Sequence, residues 1–208
     1  MTTKRFHGSD RIRSMLRIFG FAAAIALAPA STTFAGQPQD FLVALQPIDA
    51  PAGAGAICTR YDWACARGAG LKMSDRDAIK IARVVNAAVN RGIRPISDRM
   101  QYGVEENWTL PSSRGGDCED LVLMKKKALI AKGMAPERLM IATVLDRKQG
   151  SHAVLVLRTA AGDYVLDSLV GAIKPWSATG YSFLRMQDPA APSRWNAIFA
   201  GGIFGHRA

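Results

Sequence analysis

Histidine is scarce in this chain. Three histidines are present in 208 residues, so any chemistry that needs an imidazole has few places to occur. His7 lies near the N-terminus and His206 two residues from the C-terminus. Only His152 lies inside a predicted fold. Cysteine is equally sparse: Cys58 and Cys65 are close together in "CTRYDWAC", and Cys118 stands alone. The gap between Cys58 and Cys65 is not a usual zinc-finger spacing, and no histidine is near it, which argues against a zinc site. No run of basic residues is interleaved with aromatics, so the formal charge of +10 does not point to nucleic acid. No internal repeat is present. The one long apolar run, "IFGFAAAIALAPA" from Ile18, is short for a membrane span of about 20 residues.

That run follows Lys4, Arg5, Arg11, Arg13 and Arg17 and precedes the small residues Thr33 and Ala35. This is the layout of a secretory signal peptide. We expect a leader over 1–35, with cleavage after Ala35 and Ala30 as the competing site. The leader holds five Lys/Arg and one Asp, so it carries +4 of the +10 and leaves the mature chain near +6. Residues 36–56, rich in Ala, Gly, Pro and Gln, read as a flexible N-terminal arm. A domain is expected over 57–208. Export to an oxidising compartment, periplasmic or extracellular, makes Cys58–Cys65 a plausible short-loop disulfide. Cys118 is then the odd thiol.

With 49% hydrophobic and 21% charged residues, the chain can bury a core. A helix is predicted from Asp75 to Arg91, with Ser74 as N-cap and an apolar face of Ala78, Ile81, Ala82, Val85, Ala88 and Val89. The Pro- and Gly-containing stretch after it reads as loop with at most one short strand. A second helix should start near Cys118 and end before Gly133. Within it, "KKK" at 125–127 reads as a solvated face. "RLMIATVL", "HAVLVLRT", "YVLDSLV" and "YSFLRMQ" then read as strands of an antiparallel sheet. Helices first and strands second mean an α+β fold.

A thiol nucleophile needs a base and an orienting group. If Cys118 is the nucleophile, His152 is the base by elimination. A hairpin closed by the four residues 158–161 would set His152 opposite Asp167 on one face of the sheet. A two-residue loop at 161–162 would separate the pair by about 14 Å. Cys118 in a first helical turn faces the positive end of the helix dipole and free N–H groups. Gly115 and Gly116 would allow a substrate backbone to approach. Against this, Asp117, Glu119 and Asp120 surround the thiol and should blunt it.

"GGDCEDLVLMKKKALIAKG", a histidine opening an apolar strand, and "YVLDSL" resemble the bacterial transglutaminase-like cysteine peptidases, including the LapG-type periplasmic proteases. The similarity covers about residues 57 to 195 and includes "ICTRYDWAC", "VVNAAVNRGIRPISD", "YGVEENWTLP" and "TGYSFLRMQ". It implies a papain-like, transglutaminase-like α+β fold, with helices packed on a C-terminal antiparallel sheet. It implies Cys118 as nucleophile, His152 as general base and Asp167 as orienting carboxylate. It also implies calcium bound by Asp117 and Glu119, which would offset their charge beside the thiol. The competing account is that these acids complement the helix dipole. A surface or secreted protein is the implied substrate, and some relatives answer to an inner-membrane receptor. Two departures stand out. Ser168 follows Asp167 where the family usually has Asn. No glutamine precedes Cys118 as in papain-like enzymes, and Trp108 is the oxyanion donor suggested by analogy with transglutaminases, or simply a core aromatic. Acyl transfer to an amine, deamidation, or a catalytically silent binding module remain the alternatives to proteolysis.

Overall fold

A computed structural model describes residues 40–205 other than Ala69. The expected leader and His206 lie outside the described residues. Among these residues no helix is long and apolar enough to cross a membrane.

Helix α1 (Ile57–Arg60) precedes the long α2 (Asp75–Gly92). Ser74 caps α2 as expected: its Oγ accepts from the Asp77 N–H at 3.1 Å and donates to the Asp77 carboxylate at 2.7 Å. Ala78, Ala82 and Val85 are buried, with Ile81 and Val89 packed against the same cluster. Helix α3 (Asp98–Tyr102) occupies the stretch read from sequence as loop or strand. Ser97 caps it by accepting from Met100 N–H, and Gly103 at φ +75° ends it. Strong caps at both ends sustain a helix too short for periodicity to reveal.

Helix α4 (Cys118–Ala131) begins at the cysteine. It packs on α2, on β3 and on the turn holding Cys65. That crowding overturns one expectation: Lys125 and Lys126 are buried, and only Lys127 is exposed. A helix covered on three sides has little surface left for three consecutive lysines.

The strands are β1 (Pro47–Ile48), β2 (Leu139–Leu145), β3 (Ser151–Thr159), β4 (Gly162–Leu166), β5 (Lys174–Pro175), β6 (Ser182–Asp188) and β7 (Ala191–Ala200). They form one antiparallel sheet in the order β1-β7-β6-β2-β3-β4-β5. One face, with Ile141, Leu155, Leu157 and Leu166, meets the helices. The other, with Met140, Val154, Val156 and Val165, is closed by Leu42, Trp176, Tyr181, Phe183 and Ile198. Leu42 and β1 belong to the stretch expected to be a loose arm. Leu42 is buried, its N–H donates to Asp163 at 2.8 Å, and β1 extends the sheet along β7. Burial of apolar side chains and an available sheet edge anchor this segment.

Candidate active site

Three chain segments bring the expected residues to one end of the sheet. The start of α4 supplies Cys118, the start of β3 supplies His152, and the exit of β4 supplies Asp167. Cys118, His152, Trp108, Glu106 and Glu119 line one cleft of about 230 Å³. Turn residues set its wall. Asp146 accepts N–H bonds from Lys148 and Gly150, closing the β2–β3 hairpin just ahead of Ser151 and His152.

His152 and Asp167 are joined: Nε2 lies 2.8 Å from Oδ1, and the residues are 5% and 4% exposed. The register that achieves this is not the expected one. β3 and β4 pair Thr159 with Gly162 and Leu155 with Leu166, around a two-residue loop at Ala160–Ala161. That loop is tighter than the four-residue loop expected. Continued past Leu166, this register sets Asp167 opposite Val154, diagonal to His152. Side-chain parity is unchanged by a shift of two, so both still share a face, and diagonal neighbours remain within reach of long side chains.

Asp167 is tightly held. Tyr181 Oη donates to Oδ2 at 2.6 Å, and the Leu169 N–H donates to Oδ1 at 2.9 Å. Asn90 Nδ2 on α2 donates to the Asp167 carbonyl at 2.8 Å. Burial pushes this carboxyl up, but the bonds from His152, Tyr181 and Leu169 outweigh it and leave the pKa below the ordinary value. The Tyr181 ring also meets His152 edge-to-face at 6.1 Å. Burial and the neighbouring anion push the Tyr181 hydroxyl up, so it stays a donor. Tyr181 and Asn90 were not anticipated. The available signal was a tyrosine in a predicted strand, whose hydroxyl must find a partner once buried.

The other side of Cys118 is acidic. Asp98, Asp117 and Glu119 each present a carboxylate oxygen, all within 4.8 Å of one another. Asp117 Oδ2 accepts from Asp98 N–H at 3.0 Å, and Asp98 Oδ2 accepts from Asn107 N–H. The remaining oxygens, Asp98 Oδ1 and Asp117 Oδ1, are buried without a partner. Burial and then Asp117 push Glu119 up to about 9. Burial raises Asp98 as well. Asp98 was missed because α3 was missed; nothing in a lone "SD" marks a residue that folds back beside Asp117. Asp120 points elsewhere, accepting the Thr109 N–H at 3.1 Å, with burial lifting it to about 7.

Cys118 feels these acids directly. Its thiol lies 3.1 Å from Glu119 Oε2 and is oriented to donate there. Burial, then the Glu119 charge, hold its pKa well above the ordinary range. Gly115 and Gly116 serve the chain rather than a substrate. Gly115, at φ +128°, abuts the Arg94 carbonyl, where a Cβ would overlap it, and Gly116 abuts the Asp120 side chain. The indole of Trp108 is buried, edge-on to Trp195, and its N–H donates to Glu106 at 3.2 Å. Cys58 and Cys65 form a disulfide, with Cα atoms 5.3 Å apart.

No curated protein sequence matches the chain. Among solved structures, calcium-bound LapG of Legionella pneumophila is similar over 63% of this chain and 73% of that one, with 22% identity and a TM-score of 0.50. EGTA-treated LapG from the same organism matches over 55% and 66% of the two chains, with 22% identity and a TM-score of 0.47. The calcium-bound form shares the fold, a mixed arrangement of helices on an antiparallel sheet. The family model for the bacterial transglutaminase-like cysteine proteinases matches residues 44–202. The chain belongs to that family and is a cysteine peptidase of transglutaminase-like type.

Proposed function

We propose that this protein is an exported peptidase that cuts a secreted or surface protein at a specific site, with Cys118, His152 and Asp167 as its catalytic triad. The observation that carries the reading is the buried hydrogen bond between Asp167 and His152, which lines one cleft with Cys118. Asp167, held as an anion, accepts from Nε2–H and leaves Nδ1 as the basic ring nitrogen. That nitrogen takes the Cys118 proton as sulfur attacks the scissile carbonyl carbon. The proton passes to the departing amine as the C–N bond breaks, leaving a thioester. Water, deprotonated by the same nitrogen, then releases the acid and restores the thiol. The Cys118 N–H at the start of α4 is the donor available to the oxyanion. Trp108 remains the second candidate, and must first release Glu106. The Cys58–Cys65 disulfide supports an oxidising, periplasmic or extracellular location.

Calcium suits the acidic cluster. Three clustered carboxylates, two with a buried oxygen lacking any partner, form a hard-oxygen donor set. Asp98, Asp117 and Glu119 would hold the ion, and the similarity to calcium-bound LapG of Legionella pneumophila supports the reading. Bound there, calcium would supply positive charge that offsets the acids beside the thiol. Glu119, engaged by the ion, would release the Cys118 Sγ–H toward His152.

The test is proteolysis by purified mature protein with Cys118→Ala as the control, read by mass spectrometry. Backbone cleavage lost in Cys118→Ala is expected. Cleavage surviving in Cys118→Ala sinks the proposal. An ammonia-loss crosslink or a one-dalton deamidation without cleavage would replace proteolysis by acyl transfer or deamidation.

A further inference from the structure

The cleft of Cys118 is charged unevenly. Glu106 and Glu119 line it beside the nucleophile, and Arg185 is the one Lys or Arg that lines it among the described residues. Both acids have partners in the chain: Glu119 accepts from the Cys118 thiol, and Glu106 accepts from the Trp108 indole N–H. Arg185 makes a single side-chain hydrogen bond, from Nη1 to the Asp49 carbonyl at 3.0 Å, and no ion pair among the described residues. Its Nε and Nη2 are left to donate elsewhere.

The strands set this arginine on the face that carries the nucleophile. Thr143 on β2 pairs with Ala153 on one side and with Arg185 on the other. Directly paired residues share a face, so Ala153, Thr143 and Arg185 form one row across three strands, and all three line the cleft. Ala153 packs into the helix-side cluster against which Cys118 also packs. β6 bulges at this point: its pairing steps from Arg185 to Phe183 while β2 advances from Thr143 to Val144. Leu184 is therefore the extra residue, and it lines the cleft as well. Bulges re-aim side chains and are over-represented beside active sites. The Asp49 carbonyl then anchors the head of Arg185, and the residues just before it, Pro47 and Ile48, are themselves paired to β7. The half-buried side chain is thus held before substrate arrives, which lowers the ordering cost of binding.

Spacing sets which substrate residue it meets. Two strand spacings separate Ala153 from Arg185, about 10 Å across the sheet, and Ala153 adjoins His152. An extended peptide advances about 3.3 Å per residue, so Arg185 faces a residue about three positions from the scissile bond. A guanidinium fork matches a carboxylate bidentately. An acid closer to the scissile bond would meet Glu106 and Glu119 instead.

We propose that Arg185 is a specificity-determining residue, the subsite for an aspartate or glutamate about three residues from the bond that is cut. The inference rests on the peptidase reading above and adds a substrate feature to it. The competing account is an arginine that only ties the segment at Asp49 to the sheet.

The experiment is cleavage of a random library of acetylated, amidated decapeptides by calcium-loaded mature protein, read by mass spectrometry, with Cys118→Ala as the blank. Blocked ends leave side chains as the only carboxylates. Asp or Glu should be favoured about tenfold over Lys at one position roughly two to four residues from the cut, the scale of one charge-assisted hydrogen bond. Arg185→Gln should erase that preference, and Arg185→Glu should turn it toward Lys and Arg. An arginine with a structural role alone would lower all cleavage alike on substitution and leave the ratio standing. Cleavage without an acidic preference in the parent, or a preference unchanged in Arg185→Gln, overturns the inference and leaves the peptidase reading intact. Should Arg185→Glu fail to fold, the parent and Arg185→Gln decide. No Cys118-dependent cleavage in the parent sinks the peptidase reading and the subsite with it.

Discussion

The two flanks of Cys118 differ in how completely they are satisfied. On the strand side, both Asp167 oxygens have partners, and its backbone is pinned by Asn90. On the loop side, Asp98 and Asp117 each keep one buried oxygen with no partner, in a cluster closed by Glu119. Buried polar groups are nearly always paired. The strand-side carboxylate therefore has a partner on each oxygen, whereas the loop side offers the unpartnered oxygen donors on which the calcium proposal rests. Cys118 lies between them, with its thiol 3.1 Å from Glu119 Oε2 on the loop side and His152 lining the same cleft.

Removing the thiol is the largest predicted effect: Cys118→Ala should abolish peptide cleavage by purified protein. Breaking the strand side comes next. His152→Ala should slow Cys118 alkylation by roughly 10² to 10⁴, the usual range for general-base catalysis. Breaking the loop side should cost stability as well as reactivity. A site holding calcium at a hundred times its Kd stabilises the fold by about 2.7 kcal/mol, so EGTA should lower the melting temperature by several degrees. Asp98→Asn should weaken that calcium response. A melting curve indifferent to calcium and chelator would remove the contrast between the two flanks.

Acidity sharpens the comparison, because the flanks have opposite signs. Glu119 is raised in the folded state, so its contribution is present below its unfolded value of about 4.3 and is lost as pH rises through about 9. Calcium-free protein should therefore gain stability from this group as pH falls from 9 to 5. Asp167 is depressed, so its contribution is present above about 3.9 and fades as pH falls through its folded value. Thermal melts across pH, with calcium and with EGTA, read both. The smallest effect is expected from Tyr181→Phe, which keeps the ring beside His152 and deletes one bond to Asp167. We expect about a tenfold loss in kcat, or about 1.4 kcal/mol, with KM little changed.

Much of the strand side was legible in the sequence. The period-2 pattern of "HAVLVL" and "YVLDS" places His152 and Asp167 on one face in any register shifted by two. The expected loop was therefore wrong, yet His152 and Asp167 still meet. The glycines before Cys118 misled because an exposed glycine and one wedged against a neighbouring backbone look alike. Lys125 and Lys126 read as surface because three consecutive lysines usually are; only the packing of α4 from several sides buries them. β7 escaped notice because Pro192, Ser193 and Arg194 interrupt its alternation. Of the loop side, Asp117 and Glu119 came from family resemblance. Asp98 could not, since its place beside them depends on a capped five-residue helix and a chain reversal of 19 residues.

Under the proposal above, Asp98, Asp117 and Glu119 would hold calcium, and its positive charge would offset the acids beside Cys118. The most direct test is the alkylation rate of Cys118 across pH, with calcium and with EGTA. The account predicts a fast reaction near pH 6 in calcium, lost in EGTA and in His152→Ala. A slow reaction rising only above pH 8, the same with and without calcium and in His152→Ala, would contradict it and leave Cys118 an ordinary buried thiol.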